Sequence, residues 1–162
     1  MAGSPDQVMP KGQIRRASLR DVASIRALTD DAYSKWIDVI GRKPKPMTAD
    51  HELAVRNHLI DLFEVDGDVR GLIEMIPGGQ FLLIENLAVA PRHQGSGIAQ
   101  ALLDHALGVT ASYGLKEIRL YTNVAFAANV AFYARRGYAV TGHEKLAAGG
   151  EMVHMAKLVP LP

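Results

Sequence analysis

The chain contains no cysteine, which excludes disulfides, thiolate metal sites and any acyl-cysteine intermediate. That absence fits a reducing compartment. Neither sign of charge dominates: 18 Lys+Arg stand against 17 Asp+Glu, for a net charge of +1. A surface that coats nucleic acid is strongly basic, so no nucleic-acid partner is expected. Long apolar runs are also missing. The most hydrophobic stretch, Phe81 to Pro91, is interrupted by Glu85 and Asn86 and falls well short of the roughly 20 residues that span a bilayer. Residues 1–12 carry Pro5, Pro10 and Gly12 without an apolar core, so they read as a flexible terminus and not as a signal peptide. The expectation is a soluble, cytoplasmic protein with no membrane partner.

What is present suits one domain over residues 13–162. A chain of 162 residues, 48% hydrophobic and 22% charged, buries about two-thirds of its unfolded surface without a staple. Gln13–Ala17 reads as a strand. Ser18 with Asp21 three residues on resembles a capping box. Val22, Ile25, Leu28, Ala32, Trp36 and Val39 then recur at helical spacing to about Gly41. Pro44 and Pro46 exclude a helix over 42–47, and a second helix is expected from Ala49 to His58 with Thr48 as N-cap. A hairpin turning at Asp66-Gly67 joins 62–66 to 69–76, and 80–90 is a long strand. A helix from Ile98 to Gly114, a strand at 118–122, a helix at 127–136 and strands at 138–144 and 152–158 complete the order β-α-α-β-β-β-α-β-α-β-β. This is an α/β class fold, a mixed sheet between helices in three layers.

The chemistry concentrates where strand passes to helix, at Val89-Ala-Pro-Arg-His-Gln-Gly-Ser-Gly-Ile-Ala99. Glycines at 95 and 97 allow close backbone approach and positive φ. The free N–H groups and positive dipole of the following helix suit a phosphate; a plain strand-to-helix turn is the alternative. Other loops fit worse. The P-loop pattern is absent, since Ile98-Ala99 follows Gly97. Gln100 stands where the dinucleotide fingerprint needs a small residue. The hydrolase elbow fails because Gln94 lies two before Ser96.

These residues resemble the GNAT superfamily of acyl-CoA-dependent N-acetyltransferases. The signature [QR]-x-x-G-x-[GA] is filled by Gln94-Gly-Ser-Gly97-Ile-Ala99, within Val89-Ala-Pro91 and Ala101-Leu-Leu103. A second pattern is similar to Asn129-Val-Ala131-Phe-Tyr133-Ala-Arg-Arg-Gly137-Tyr138. The resemblance implies acetyl-CoA as cosubstrate and an amine acceptor. It implies that the amides of Gly95, Ser96, Gly97, Ile98 and Ala99 cradle the pyrophosphate, with Gln94 in the same loop. Pantetheine then pairs with the free edge of Leu87-Ala88-Val89, where that strand splays from its neighbour. Asn129 steadies the pantetheine arm, and Tyr133, four residues on and on the same helix face, donates a proton to the departing thiolate.

Transfer is then direct, through a ternary complex, with the oxyanion held by a backbone N–H of residues 87–89. Glu85 is the candidate base, placed by period-2 parity on the face of Leu87 and Val89; an edge or ion-paired glutamate is the alternative. His51 and His58 do not form H-E-x-x-H, so no metal is expected, and His93 adjoins the loop. The resemblance implies that the segment holding Tyr33, Trp36, Arg42, Lys43, Lys45 and Met47 borders the acceptor side; a solvated turn with a helix packing face is the alternative. A non-catalytic acyl-CoA sensor on the same fold is the rival reading, and retention of Tyr133 and Asn129 argues against it. Homodimerisation through the terminal strands is left open.

Overall fold

The computed structural model describes residues 11–160; Met1 to Pro10 of the expected flexible terminus lie outside them. Seven strands form one sheet in the order β1-β2-β3-β4-β5-β7-β6. In chain order they are β1 Gln13–Arg16, β2 Leu59–Val65, β3 Asp68–Pro77, β4 Phe81–Val89, β5 Glu117–Asn123, β6 Ala139–Lys145 and β7 Glu151–Leu158. Among the described residues only the β4–β5 pairing is parallel. The central strands read as near-continuous apolar runs because both faces are covered.

Helices α1 (Val22–Tyr33) and α3 (His51–Asn57) pack on one face. There Ile25, Leu28, Ala32 and Ala54 meet Ile60, Leu62, Leu72 and Ala88. Helices α4 (Ile98–Ser112) and α5 (Ala127–Ala134) occupy the other face. Ile98, Leu102 and Ala106 of α4 close a core with Ile73, Met75, Leu82, Ile84, Ile118 and Met155, and Val130, Phe132 and Tyr133 of α5 pack against it.

Several element boundaries differ from expectation, each for a local reason. The apolar period to Gly41 is not one helix. After Tyr33 the chain tightens into a 3-10 turn over Ser34–Trp36, then a single turn, α2 (Ile37–Ile40), closed by Gly41 at φ 76°. The break takes Trp36 off the α1 stripe to stack on Phe126, ring centroids 4.3 Å apart; Val39, which continued the period, is exposed. The proline segment is not devoid of helix either. A 3-10 turn spans Lys45–Thr48 with Pro46 near its start, where a missing N–H costs nothing. Thr48 closes that turn through Lys45 O, and Asp50 caps α3 instead, accepting from Leu53 N–H at 3.0 Å. Asp21 completes its half of the capping box by accepting from Ser18 N–H at 2.8 Å.

One contact sets the height of α4 above the sheet. A Cβ on Gly71 of β3 would lie 2.7 Å from Ile98 Cγ2, 3.2 Å from Leu102 Cδ1 and 3.3 Å from Ala88 O. The first turn of α4 therefore rests on bare backbone. Gly71→Ala is expected to overpack this seat and cost about 1–3 kcal/mol, read as a lowered denaturant midpoint. An unchanged midpoint would mean that α4 has slack there.

Candidate functional site

A bulge in β4 builds the site. Glu74 of β3 pairs with Asn86, but the next residue, Met75, pairs with Ile84, so Glu85 is an extra residue. A bulge resets alternation. Leu82 and Ile84 face α4 before it, and Leu87 and Val89 face α4 after it. Glu85 and Asn86 therefore both turn to the α1–α3 side. The parity that put Glu85 on the face of Leu87 and Val89 is corrected here, because simple alternation cannot foresee an inserted residue. β4 and β5 pair only from Phe81–Ile84 to Glu117–Leu120, and beyond the bulge they splay. Ala90 N–H donates to Arg70 O at 2.9 Å, so by antiparallel alternation Ala88 also faces β3. Leu87 and Val89 then present N–H and C=O to the gap.

On one side of the gap lies the loop before α4. Gly95 and Gly97 have φ of 79° and 92°, a region other residues enter only with strain. The first α4 donor with a backbone acceptor is Ala101, whose N–H reaches Gly97 O. Among the described residues, the amides of Gly95, Ser96, Gly97, Ile98, Ala99 and Gln100 find no backbone acceptor. Gln94 ties the loop to the strand, with Nε2 donating to Val89 O at 3.1 Å and Oε1 accepting from Lys35 Nζ at 3.3 Å. The Ser96 hydroxyl turns back onto His93 O, leaving that residue only its amide to offer. A cavity of about 440 Å³ follows this loop and Leu87-Ala88-Val89. Among the described residues, Lys35, His93 and Arg136 line it, and no carboxylate does.

A second cavity, of about 730 Å³, opens on the α1–α3 side. Glu85 sits in it, already engaged: Lys45 Nζ lies 3.2 Å from Oε1, and the Tyr121 hydroxyl donates to the same oxygen. Lys45 also donates to Tyr121 at 3.0 Å, which together with Glu85 holds its ammonium well above the usual range. Burial and Glu85 push the Tyr121 phenol up to about 12. Lys45, expected as part of a basic loop, is thus a charged partner of Glu85 whose side chain stays largely exposed. Arg42 reaches across the cavity mouth, with Nη2 3.0 Å from Gly149 O. At the inner end His58 meets Glu74, and the Tyr33 hydroxyl donates to Asn86 Oδ1 at 2.7 Å and Leu87 O at 3.3 Å.

The two cavities share Tyr33, Leu87, Asn129 and Tyr133. Asn129 and Tyr133 project from one face of α5 as their spacing predicted. Burial, with Tyr138 beside it, pushes the Tyr133 phenol up, so it stands protonated at neutral pH. The structure thus brings Leu87, Ala88, Val89, Gln94, Gly95, Gly97, Ile98, Ala99, Asn129 and Tyr133 around the smaller cavity, while Ser96 of the same loop is not in its lining. Glu85 stands apart from them, across the strand in the larger one.

Residues 23–138 match the profile described as Acetyltransferase (GNAT) family. The chain belongs to that family. No curated protein matches it by sequence. Among solved structures, this GNAT acetyltransferase is similar to a GNAT-family structure from Desulfovibrio desulfuricans (TM-score 0.77, 20% identity, 92% of this chain and 99% of that one). It is also similar to the ribosomal-protein-S18-alanine N-acetyltransferase of Escherichia coli (TM-score 0.71, 15% identity, 93% and 96% covered). A third match is the PaiA N-acetyltransferase of Thermoplasma acidophilum in complex with coenzyme A (TM-score 0.72, 18% identity, 91% and 99% covered). At such identities the likeness carries the fold.

Sequence reasoning passed over Glu74, Tyr121 and Arg136. Glu74 carried the signal that exposed Glu85, an acid inside an apolar strand. Tyr121 and Arg136 carried none, because their roles depend on which strands and helices become neighbours. Among the described residues no cluster of His, Asp or Glu is placed to hold a metal, and no helix is long and apolar enough to cross a membrane.

Proposed function

We propose that this enzyme transfers an acetyl group from acetyl-CoA directly to a primary amine of a small molecule or peptide, with both substrates bound together. The observation that carries this reading is the meeting of two unlike cavities at Tyr133. The smaller one suits a polyphosphate: free amides at a helix start, basic side chains and, among the described residues, no carboxylate in its lining. The larger one has a mixed lining in which Glu85, beside Lys45, and Glu74, beside His58, offer carboxylates to an amine.

When bound, acetyl-CoA supplies an activated acyl group as a thioester. The amides of Gly95, Ser96, Gly97, Ile98 and Ala99 hold the pyrophosphate, and Gln94 keeps their loop against the strand. Leu87 and Val89 offer strand pairing to the pantetheine amides, while Ala88 stays bound to β3 and keeps the edge extended. Asn129 steadies the same arm. An N–H of this edge stabilises the oxyanion, fixed in place before the reaction begins. Tyr133, whose phenol burial keeps protonated, gives its proton to the leaving sulfur. With no cysteine in the chain, no acyl-thiol relay intervenes. That absence also fits work in the cytoplasm.

Glu85 was expected as the base. Both groups that touch it are donors, so in this reading it attracts the acceptor's ammonium, displacing the exposed Lys45.

Calorimetric titration with acetyl-CoA, with NAD and ATP as controls, tests the donor site; selective binding is expected, and none would remove the reading. Tyr133→Phe should then lose about 10²–10⁴-fold in kcat while keeping acetyl-CoA affinity, and undiminished turnover would take Tyr133 out of the chemistry. Glu85→Gln should raise KM for the amine and keep the acidic limb of the rate profile. Loss of that limb would restore Glu85 as the base.

A further inference from the structure

The acceptor amine must shed a proton before it attacks, and the larger cavity holds a second proton acceptor besides Glu85. His58 ends α3 with extended backbone, φ −116° and ψ 169°, and its imidazole is half-buried in the cavity wall. Its Nδ1 lies 2.5 Å from Glu74 Oε2, and the Glu74 side chain is only 10% exposed. An ionised carboxylate accepts and does not donate, so it keeps the imidazole proton on Nδ1 and leaves Nε2 a lone pair. Among the described residues no group bonds that Nε2, and it is not one of the sealed unpartnered atoms. It is therefore accessible, on a side chain that lines the cavity.

The dyad stands one strand from the reacting gap. Glu74 is the cross-strand partner of Asn86, and Asn86 takes the hydroxyl of Tyr33, which also touches Leu87 O. Leu87 borders both cavities.

The other acid–base groups of this cavity are less suited. Glu85 is occupied by Lys45 and Tyr121. His51 of α3 is 3% exposed with a sealed Nε2, and burial pushes its pKa down. His154 of β7 is paired with Glu144 of β6. The titratable groups that face Glu74 are Tyr33 of α1 and His51 of α3, with Arg26 and Asp30 of α1 and the α3 cap Asp50 around His51, and Glu85 with Lys45 in the same cavity.

Resting on the acetyl-transfer reading above, we infer that His58, oriented by Glu74, takes the proton from the acceptor's ammonium at Nε2. One proton passes from nitrogen to His58 and on to water. The nitrogen lone pair then forms the N–C bond as the C–S bond breaks. The second nitrogen proton, released at that step, makes up the one Tyr133 gives to sulfur. His58 is the catalytic residue here and Glu74 the positioning one.

Two experiments test this. The first is nitrogen-resolved NMR of protein carrying 15N-labelled histidine, without any acceptor. The His58 signals should report the Nδ1–H form in the neutral state, and Glu74→Gln should abolish that preference. A neutral Nε2–H form in the parent protein overturns the inference. This readout stands even if acetyl-CoA does not bind, so failure of the donor-site reading is seen separately, by calorimetry.

The second is the pH–rate profile with acetyl-CoA and the amine a panel screen returns. His58→Gln, checked for folding by circular dichroism, should lose about 100-fold or more near neutrality. Its rate should recover toward high pH, where the amine deprotonates unaided. His58→Ala should be partly restored by added imidazole, and Glu74→Gln should shift the acidic limb without raising KM for acetyl-CoA. A His58→Gln profile that parallels the parent's, with no rescue of His58→Ala, overturns the assignment.

Discussion

One extra residue in β4 governs this molecule. Parallel strands pair when their alternation stays in phase, and Glu85 breaks that phase midway along the strand. The consequences follow in order. β4 and β5 part, Leu87 and Val89 lose lateral partners, and a gap opens through the centre of an otherwise continuous sheet. A gap there would ordinarily be costly, since buried N–H and C=O groups need partners. Here Tyr33 and Gln94 each satisfy one strand carbonyl from the side, while the remaining edge stays available. The bulge also delivers two polar side chains in succession to one face, which regular alternation never does.

The second organising feature is the unlike lining of the two cavities. Open amides with Lys35, His93 and Arg136 border the smaller one, whereas the larger one mixes carboxylates with cations and imidazoles, Glu85 beside Lys45 and Glu74 beside His58. Tyr133 stands at the boundary, near enough to both sides to act on a bond between them. The GNAT fold supplies the frame, and the seat of Ile98 on Gly71 holds the helix start at the height the loop requires.

Much of this was legible in the sequence. Gln94, Gly95 and Gly97 carry a pattern tied to backbone geometry, and Asn129 and Tyr133 share a helix face by spacing alone. Strand and helix order could be read because apolar period and turn residues agree locally. The acceptor side was far less legible. The reach of Lys45 to Glu85 and Tyr121 depends on how a proline segment folds over a distant strand. The meeting of His58 with Glu74 depends on the α3–β2 junction lying over β3. The helix expected through Trp36 failed for a similar reason, because stacking on Phe126 outweighed a local period. Glu85 was found as an anomaly, but its direction was not, since an inserted residue leaves no mark in an alternating pattern.

The stack of Trp36 on Phe126 has a practical side. Trp36 is the chain's single tryptophan, and it lines the smaller cavity while its partner ring lines the larger. Excited at the red edge of its absorption, beyond that of the five tyrosines, this indole reports from between the two chambers. The native chain is its own optical reporter, with no label to attach, and occupancy of either chamber can be followed in the time domain of a stopped-flow mixing experiment.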